Sequence, residues 1–222
     1  MAFQDVDWNT LFPGYLTSGQ KDRLKAALEQ FRPAYRGNRI SYSDFYKASH
    51  AEFRNFMQGD LVRDMRLPIW DDVNAVYGKG YSNALILTNT CDISKDNARP
   101  TNSKECLLAP LANLSDYVAA LKGKHLPQAQ IDSFVTALKN QEITNLFFLP
   151  PCPSSHHESI AVLDKVFWIN TGELNELVPT IEEDRIASLN HYGYYLFLLK
   201  LSHNLCRFPE TDDRCEATMS KL

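Results

Sequence analysis

No stretch of this chain stays apolar for long. The longest run, Tyr194 to Leu199, holds six residues, where a bilayer-spanning helix needs about twenty. No membrane is therefore expected as a partner. The opening MAFQDVDWNT is acidic and has no apolar segment of its own, so no secretory leader is expected. There is also no CxxC pair. The five cysteines, an odd number, are scattered, which excludes a disulfide framework and points to a reducing compartment. The expectation is a cytoplasmic protein of bacterial style. Positive charge is not in excess either. Lys and Arg number 23 against 27 Asp and Glu, a formal charge of −4, so any attraction to nucleic acid must come from a local patch. Internal repeats and low-complexity linkers are absent.

What is there is an ordinary globular composition, 44% hydrophobic over 222 residues, enough for one sizeable domain with appendages. Three textures follow one another. Residues 1–56 read as a helical, basic-aromatic arm. Leu24, Ala27, Leu28 and Phe31 recur at helical spacing, Pro33 breaks the pattern, and Ser43 could cap a second short helix. Residues 57–180 change period. Leu61, Arg63, Met65 and Leu67 fall on one face of a strand. A Gly-containing loop at 77–81, a buried strand at 84–87 and a strand at 106–109 ending at Pro110 come next. A helical insertion at 114–140 holds helices at 115–121 and 128–139, with Gly123 as the stop between them. Strands return at 146–149 and 160–169. In residues 181–222 a capping box, Thr180 with Glu183, leads into a long helix at 185–206 and then a polar tail. The class is α+β: a small, strongly bent sheet or barrel carrying an N-terminal arm, an inserted helical segment and a long C-terminal helix.

Several clusters carry candidate chemistry. At the end of the buried strand stand Thr88, Asn89, Thr90, Cys91 and Asp92. A nucleophilic Cys91 needs a histidine base, and His125, His156, His157, His191 and His203 are available. No glycine elbow flanks Cys91, and the preferred reading is a small buried hydrophobe. Cys152, His156 and His157 lie close enough in sequence to suggest zinc, but nothing fixes a fourth ligand. The preferred reading there is a Pro- and Ser-rich loop, with neither metal nor cofactor expected. Asp92 would neutralise Arg63, which sits on the apolar face of its strand, unless Arg63 snorkels out at the sheet edge. Thr88, Asn89 and Thr90 suit a hydrogen-bonded turn. In the arm, Arg32, Tyr35, Arg36, Arg39, Tyr42 and Lys47 mix cations with rings as single-stranded nucleic acids favour, and Arg99 adds a cation after Asp92. The alternative is an arm whose aromatics pack while its charges face water.

Three segments together, QGDLVRDMRLP, ALILTNTCDI and ECLLAPL, carry a family resemblance. Their order resembles the strands of the MazF/PemK-type growth-inhibitor toxins, with Gly59-Asp60, residues 84–87 and residues 107–110 as the matching pieces. The resemblance implies an SH3-like barrel, and barrels of that family tend to pair as homodimers, an assembly the appended helices here could obstruct. It also implies metal-independent RNA cleavage by an Arg before the second strand and a Thr or Ser after the third-strand proline. This sequence departs at both places: Tyr81, Ser82 and Asn83 precede Ala84, and Leu111 and Ala112 follow Pro110. Substitutes would be Arg63, Arg66 or Arg99 for the arginine and Thr88 or Thr90 for the hydroxyl, with Asp92 as orienter or base. The whole pattern is also similar to a group of bacterial proteins from mobile or defence-related loci. The leading expectation is an interaction module that binds RNA, DNA or a protein from a neighbouring gene, in a toxin-antitoxin or phage-defence setting. The alternative is an endoribonuclease toxin.

Overall fold

The chain is described from a computed structural model, which covers residues 14, 16–30, 42, 45–48, 54–71, 76–94, 104–152, 154–177 and 180–205. Seven strands and seven helices lie among those residues. Helix α1 (Ser18–Gln30) starts at a reciprocal cap: Gln20 N–H donates to Thr17 Oγ1 at 3.2 Å, and Thr17 N–H donates to Gln20 Oε1 at 2.9 Å. Strands β1 (Asp60–Asp71) and β2 (Val76–Ile86) make a long antiparallel ribbon. A single turn α2 (Thr90–Ile93) leads on to β3 (Glu105–Asn113), α3 (Leu114–Gly123), α4 (Gln128–Lys139) and β4 (Leu146–Leu149). Then come β5 (Ser159–Val162), β6 (Phe167–Asn170), α5 (Thr171–Glu176), α6 (Ile181–Asp184), β7 (Arg185–Ser188) and α7 (His191–Leu205).

The sheet is wholly antiparallel, in the order β4-β5-β3-β2-β1-β7, with β6 also on β3. The α+β class is as expected. The path is open, however: among the described residues no ladder joins β4 to β7, and the sheet does not close into a barrel. One face carries Leu61, Leu85, Ala109, Phe147 and Ile186 against α7 and Leu24 of α1. The other carries Val62, Met65, Ala84, Ile86, Cys106 and Leu108 against Phe56, Ile93, Leu174 and Ile181. A third cluster, Leu114, Leu138, Leu146, Phe148 and Ile160, seats the inserted helices.

Four expectations are corrected, each for a local reason. The stretch 77–81 is strand rather than loop, because Gly78 and Gly80 pair with Ile69 and Leu67. A Cβ on Gly80 would fall 2.1 Å from Ile69 Cδ1, so the glycine makes room for that side chain rather than a turn. Strand β3 runs through Pro110. Leu107 O accepts from Leu87 N–H, so the odd-numbered residues turn their backbone groups toward β2. Pro110 therefore turns its missing N–H to the other edge, between the β6 ladder (105–108) and the β5 ladder (111–113), where no ladder bond is lost. That change of partner also splits the expected strand 160–169 in two. Lastly, residues 185–188 are strand β7 and not the front of the long helix, which begins at His191. Asn190 caps it, accepting from Gly193 N–H at 2.9 Å. The expected cap at Ser43, the break at Pro33 and the tail after Pro209 lie outside the described residues.

Candidate functional site

The polar end of β2 is a built turn. Thr88 Oγ1 accepts from Leu107 N–H at 2.6 Å, and Thr90 Oγ1 accepts from Gln58 N–H at 3.0 Å. Asn89 caps α2: its Oδ1 accepts from Cys91 N–H at 2.9 Å and its carbonyl from Asp92 N–H at 2.9 Å. Gln58 closes the arrangement, donating to Leu87 O at 2.6 Å and accepting from Tyr194 Oη–H at 2.7 Å. Cys91 is exposed, not a buried hydrophobe. Asp92 is half-buried in the first turn of α2.

Arg63 does not meet Asp92. Its Nε donates to Glu183 O at 3.3 Å from an exposed position. The cause is a β-bulge: Val62 faces Ala84 and Met65 faces Ser82, so Arg63 and Asp64 together oppose Asn83. Asp64 takes φ +50°, and its N–H donates to Asn83 Oδ1 at 3.1 Å. The extra residue turns Arg63 out of the apolar face on which simple alternation placed it.

The buried charge pair is elsewhere. Asp60 and Arg185 are both buried, with Arg185 Nε 2.9 Å from Asp60 Oδ2. Asp60 also accepts from Ser188 Oγ–H at 2.7 Å and from Met57 N–H at 2.9 Å. A second bulge makes the pair possible. Asp60 faces Ser188 and Leu61 faces Ala187, but Val62 faces Arg185, so Ile186 is the extra residue. Arg185 thereby lands on the Asp60 and Val62 face, with its guanidinium carbon 5.4 Å from the Phe56 ring centroid. Burial pushes the Asp60 carboxyl up, opposed by Arg185, Ser188, the Met57 N–H and Lys47.

Of the arm candidates, Tyr42 and Lys47 are described; Arg32, Tyr35, Arg36, Arg39 and Arg99 lie outside the described residues. Tyr42 packs edge-on against Phe45 and Phe148 and donates to Lys139 O at 2.7 Å. Lys47 N–H donates to Ser188 O at 2.9 Å, beside the β7 edge. Burial lowers its ammonium, with Asp60 raising it and Arg185 lowering it further. These two residues dock the arm onto the sheet.

Exposed rings stand on the β1–β2 ribbon, at Tyr81, and on the β3–β6 pair, where Trp168 lies opposite exposed Leu107. Tyr81, 71% exposed, stands directly opposite exposed Arg66, and exposed Lys79 follows two residues along the same face. Thr88 lies seven residues beyond Tyr81 along the chain, about 20 Å at strand rise. Arg66 and the Thr88–Asp92 turn are therefore not brought to one point. The metal candidates also separate: Cys152 is buried in the core, whereas His156 and His157 are exposed. Among the described residues no three His, Cys, Asp or Glu side chains gather, and no helix is long and apolar enough to cross a membrane. Tyr81 and Lys79 were missed as candidates because 77–81 read as a loop, and Arg66 was named only for RNA cleavage. The usable signal was period-two alternation of Lys79, Tyr81 and Asn83 against glycine and serine. No family model matches the chain, and a search of the curated proteins finds no match.

Proposed function

We propose that the protein is an interaction module, without catalysis of its own, that binds single-stranded nucleic acid through the Arg66–Tyr81–Lys79 face of the β1–β2 ribbon. The carrying observation is Tyr81, a ring 71% exposed, opposite a guanidinium on a regular antiparallel pair. A ring held in water offers a base a stacking partner, and flanking cations meet the phosphates. A net charge of −4 makes that patch local. The toxin-antitoxin or phage-defence setting and the kinship with SH3-like MazF/PemK barrels belong to the same proposal. The kinship is argued from the succession β1-β2-β3 after Gly59-Asp60, and the setting follows only if that kinship holds.

The endoribonuclease alternative is less well supported. It needs Arg63 or Arg66 with Asp92 and Thr88 or Thr90 at one scissile phosphate; strand spacing argues against Arg66, and Arg63 is engaged by Glu183 O. The two threonine oxygens already accept backbone N–H bonds. The test is fluorescence anisotropy with short single-stranded RNA and DNA across a salt series, with intact oligonucleotide checked afterwards. Saturable binding without cleavage is expected. Cleavage would favour the alternative, and binding only to a protein co-purified from a neighbouring gene would replace the ligand.

A further inference from the structure

Away from the ribbon, a cavity of about 390 Å³ opens between α4, β4 and the start of β5, lined by Tyr42, Thr136, Lys139, Asn140, Phe148, Pro150 and Glu158. That volume lies at the small end of the range for ligand sites. We propose that it binds a small zwitterion, an α-amino acid whose side chain is apolar. The inference stands apart from nucleic-acid binding and uses none of the ribbon residues.

The walls are held in place before any ligand arrives. The Tyr42 hydroxyl donates to Lys139 O at 2.7 Å and accepts from Gln141 Nε2 at 3.1 Å. Gln141, fully buried and at φ +60°, grips Phe148 from both sides: Nε2 donates to Phe148 O at 2.9 Å, and Oε1 accepts from Phe148 N–H at 3.2 Å. Buried Lys200 donates to Gln141 O from behind. The Tyr42 and Phe148 rings meet at 5.1 Å and 69°, giving an apolar corner with Pro150.

The charges select the ligand. Lys139 Nζ bonds Glu158 Oε1 and lies 5.6 Å from the Phe148 ring centroid. Both side chains are more than a third exposed, 40% for Lys139 and 36% for Glu158, so the bridge between them is weak and opens readily. A ligand of one sign would engage one of these groups and leave the other to water, and an uncharged ligand would use neither. A zwitterion exchanges one ion pair for two, carboxylate to Lys139 and ammonium to Glu158, and places its side chain against Tyr42, Phe148 and Pro150.

The experiment is ligand-observed NMR of the full chain with each standard L-amino acid, followed by titration of the best binder. The same titration is run with its des-amino and decarboxylated analogues. Saturable binding of an apolar amino acid is expected, weakened about threefold or more by loss of either charge. Lys139→Met and Glu158→Gln should weaken it similarly while the thermal midpoint shows both variants folded. The proposal is overturned if no amino acid saturates the wild type, if either one-charge analogue binds within about twofold of its parent, or if folded Lys139→Met binds unchanged.

Discussion

At the scale of single residues, two buried ions decide most. Asp60 and Arg185 form an ion pair in the core, with Arg185 Nη2 also donating to Asn55 O, so removing one partner leaves the other's charge buried without its counter-ion. Arg185→Met should cost about 3–5 kcal/mol in urea unfolding. The double variant Asp60→Asn/Arg185→Met should cost less than Arg185→Met alone; an equal or larger loss would deny that the stranded carboxylate is the cause. Lys200 supplies a pH signature. Burial lowers its ammonium from 10.5 to about 7, against an opposing pull from Glu142. Between those values the unfolded chain holds more protons than the folded one, so this group makes stability rise with pH across that window. Relative to Lys200→Met, the wild type should gain on the order of a few kcal/mol between pH 7 and 10. Parallel stability profiles would contradict it. Asp60 was visible in the sequence as part of Gly59-Asp60, but its partner was not. Arg185 stands at the head of a segment with helical periodicity, and only the bulge at Ile186 turns it toward Asp60.

At the scale of elements, the sheet edges are guarded by side chains and short segments. The Gln141 amide takes the place of a neighbouring strand on β4. The segment 45–47 covers β7, with Tyr46 bridging Leu189 and Lys47 N–H on Ser188 O. Gly193 permits this cover, since a Cβ there would lie 2.5 Å from Phe45 O. Gly193→Ala should therefore destabilise by about 1–3 kcal/mol despite its better helix propensity. Exchange of the Lys47 amide should quicken; unchanged exchange and stability would refute the close approach. Elements with a clean local period were legible: α4 and β4 match their expected bounds, and α3 lies within a residue or two of its own. Those that depend on distant pairing were not. The two bulges, the passage of β3 through Pro110 and the strand nature of 185–188 are set by neighbours far along the chain, to which a period within one segment is blind.

At the scale of the whole molecule, helices cover the middle of the sheet and leave the β1–β2 ribbon projecting with Arg66, Lys79 and Tyr81 in water. The sequence made Arg66 a candidate but tied it to catalysis, and it placed the nucleic-acid surface on the arm. Of the arm residues described, the Tyr42 hydroxyl donates to Lys139 O and the Lys47 backbone N–H to Ser188 O, while Arg32, Tyr35, Arg36 and Arg39 lie outside the described residues. Because those three ribbon side chains are exposed, Arg66→Ala and Tyr81→Ala should change stability by no more than about 0.5 kcal/mol. The central claim is tested most directly by the affinity of short single-stranded RNA for wild type and Tyr81→Ala, measured across a salt series. The wild type should bind with a log–log salt slope of about −1 to −2, as Arg66 and Lys79 release counterions, and Tyr81→Ala should lose about 1–3 kcal/mol of binding with the slope retained. Absence of saturable binding, or equal affinity in Tyr81→Ala, would contradict the account.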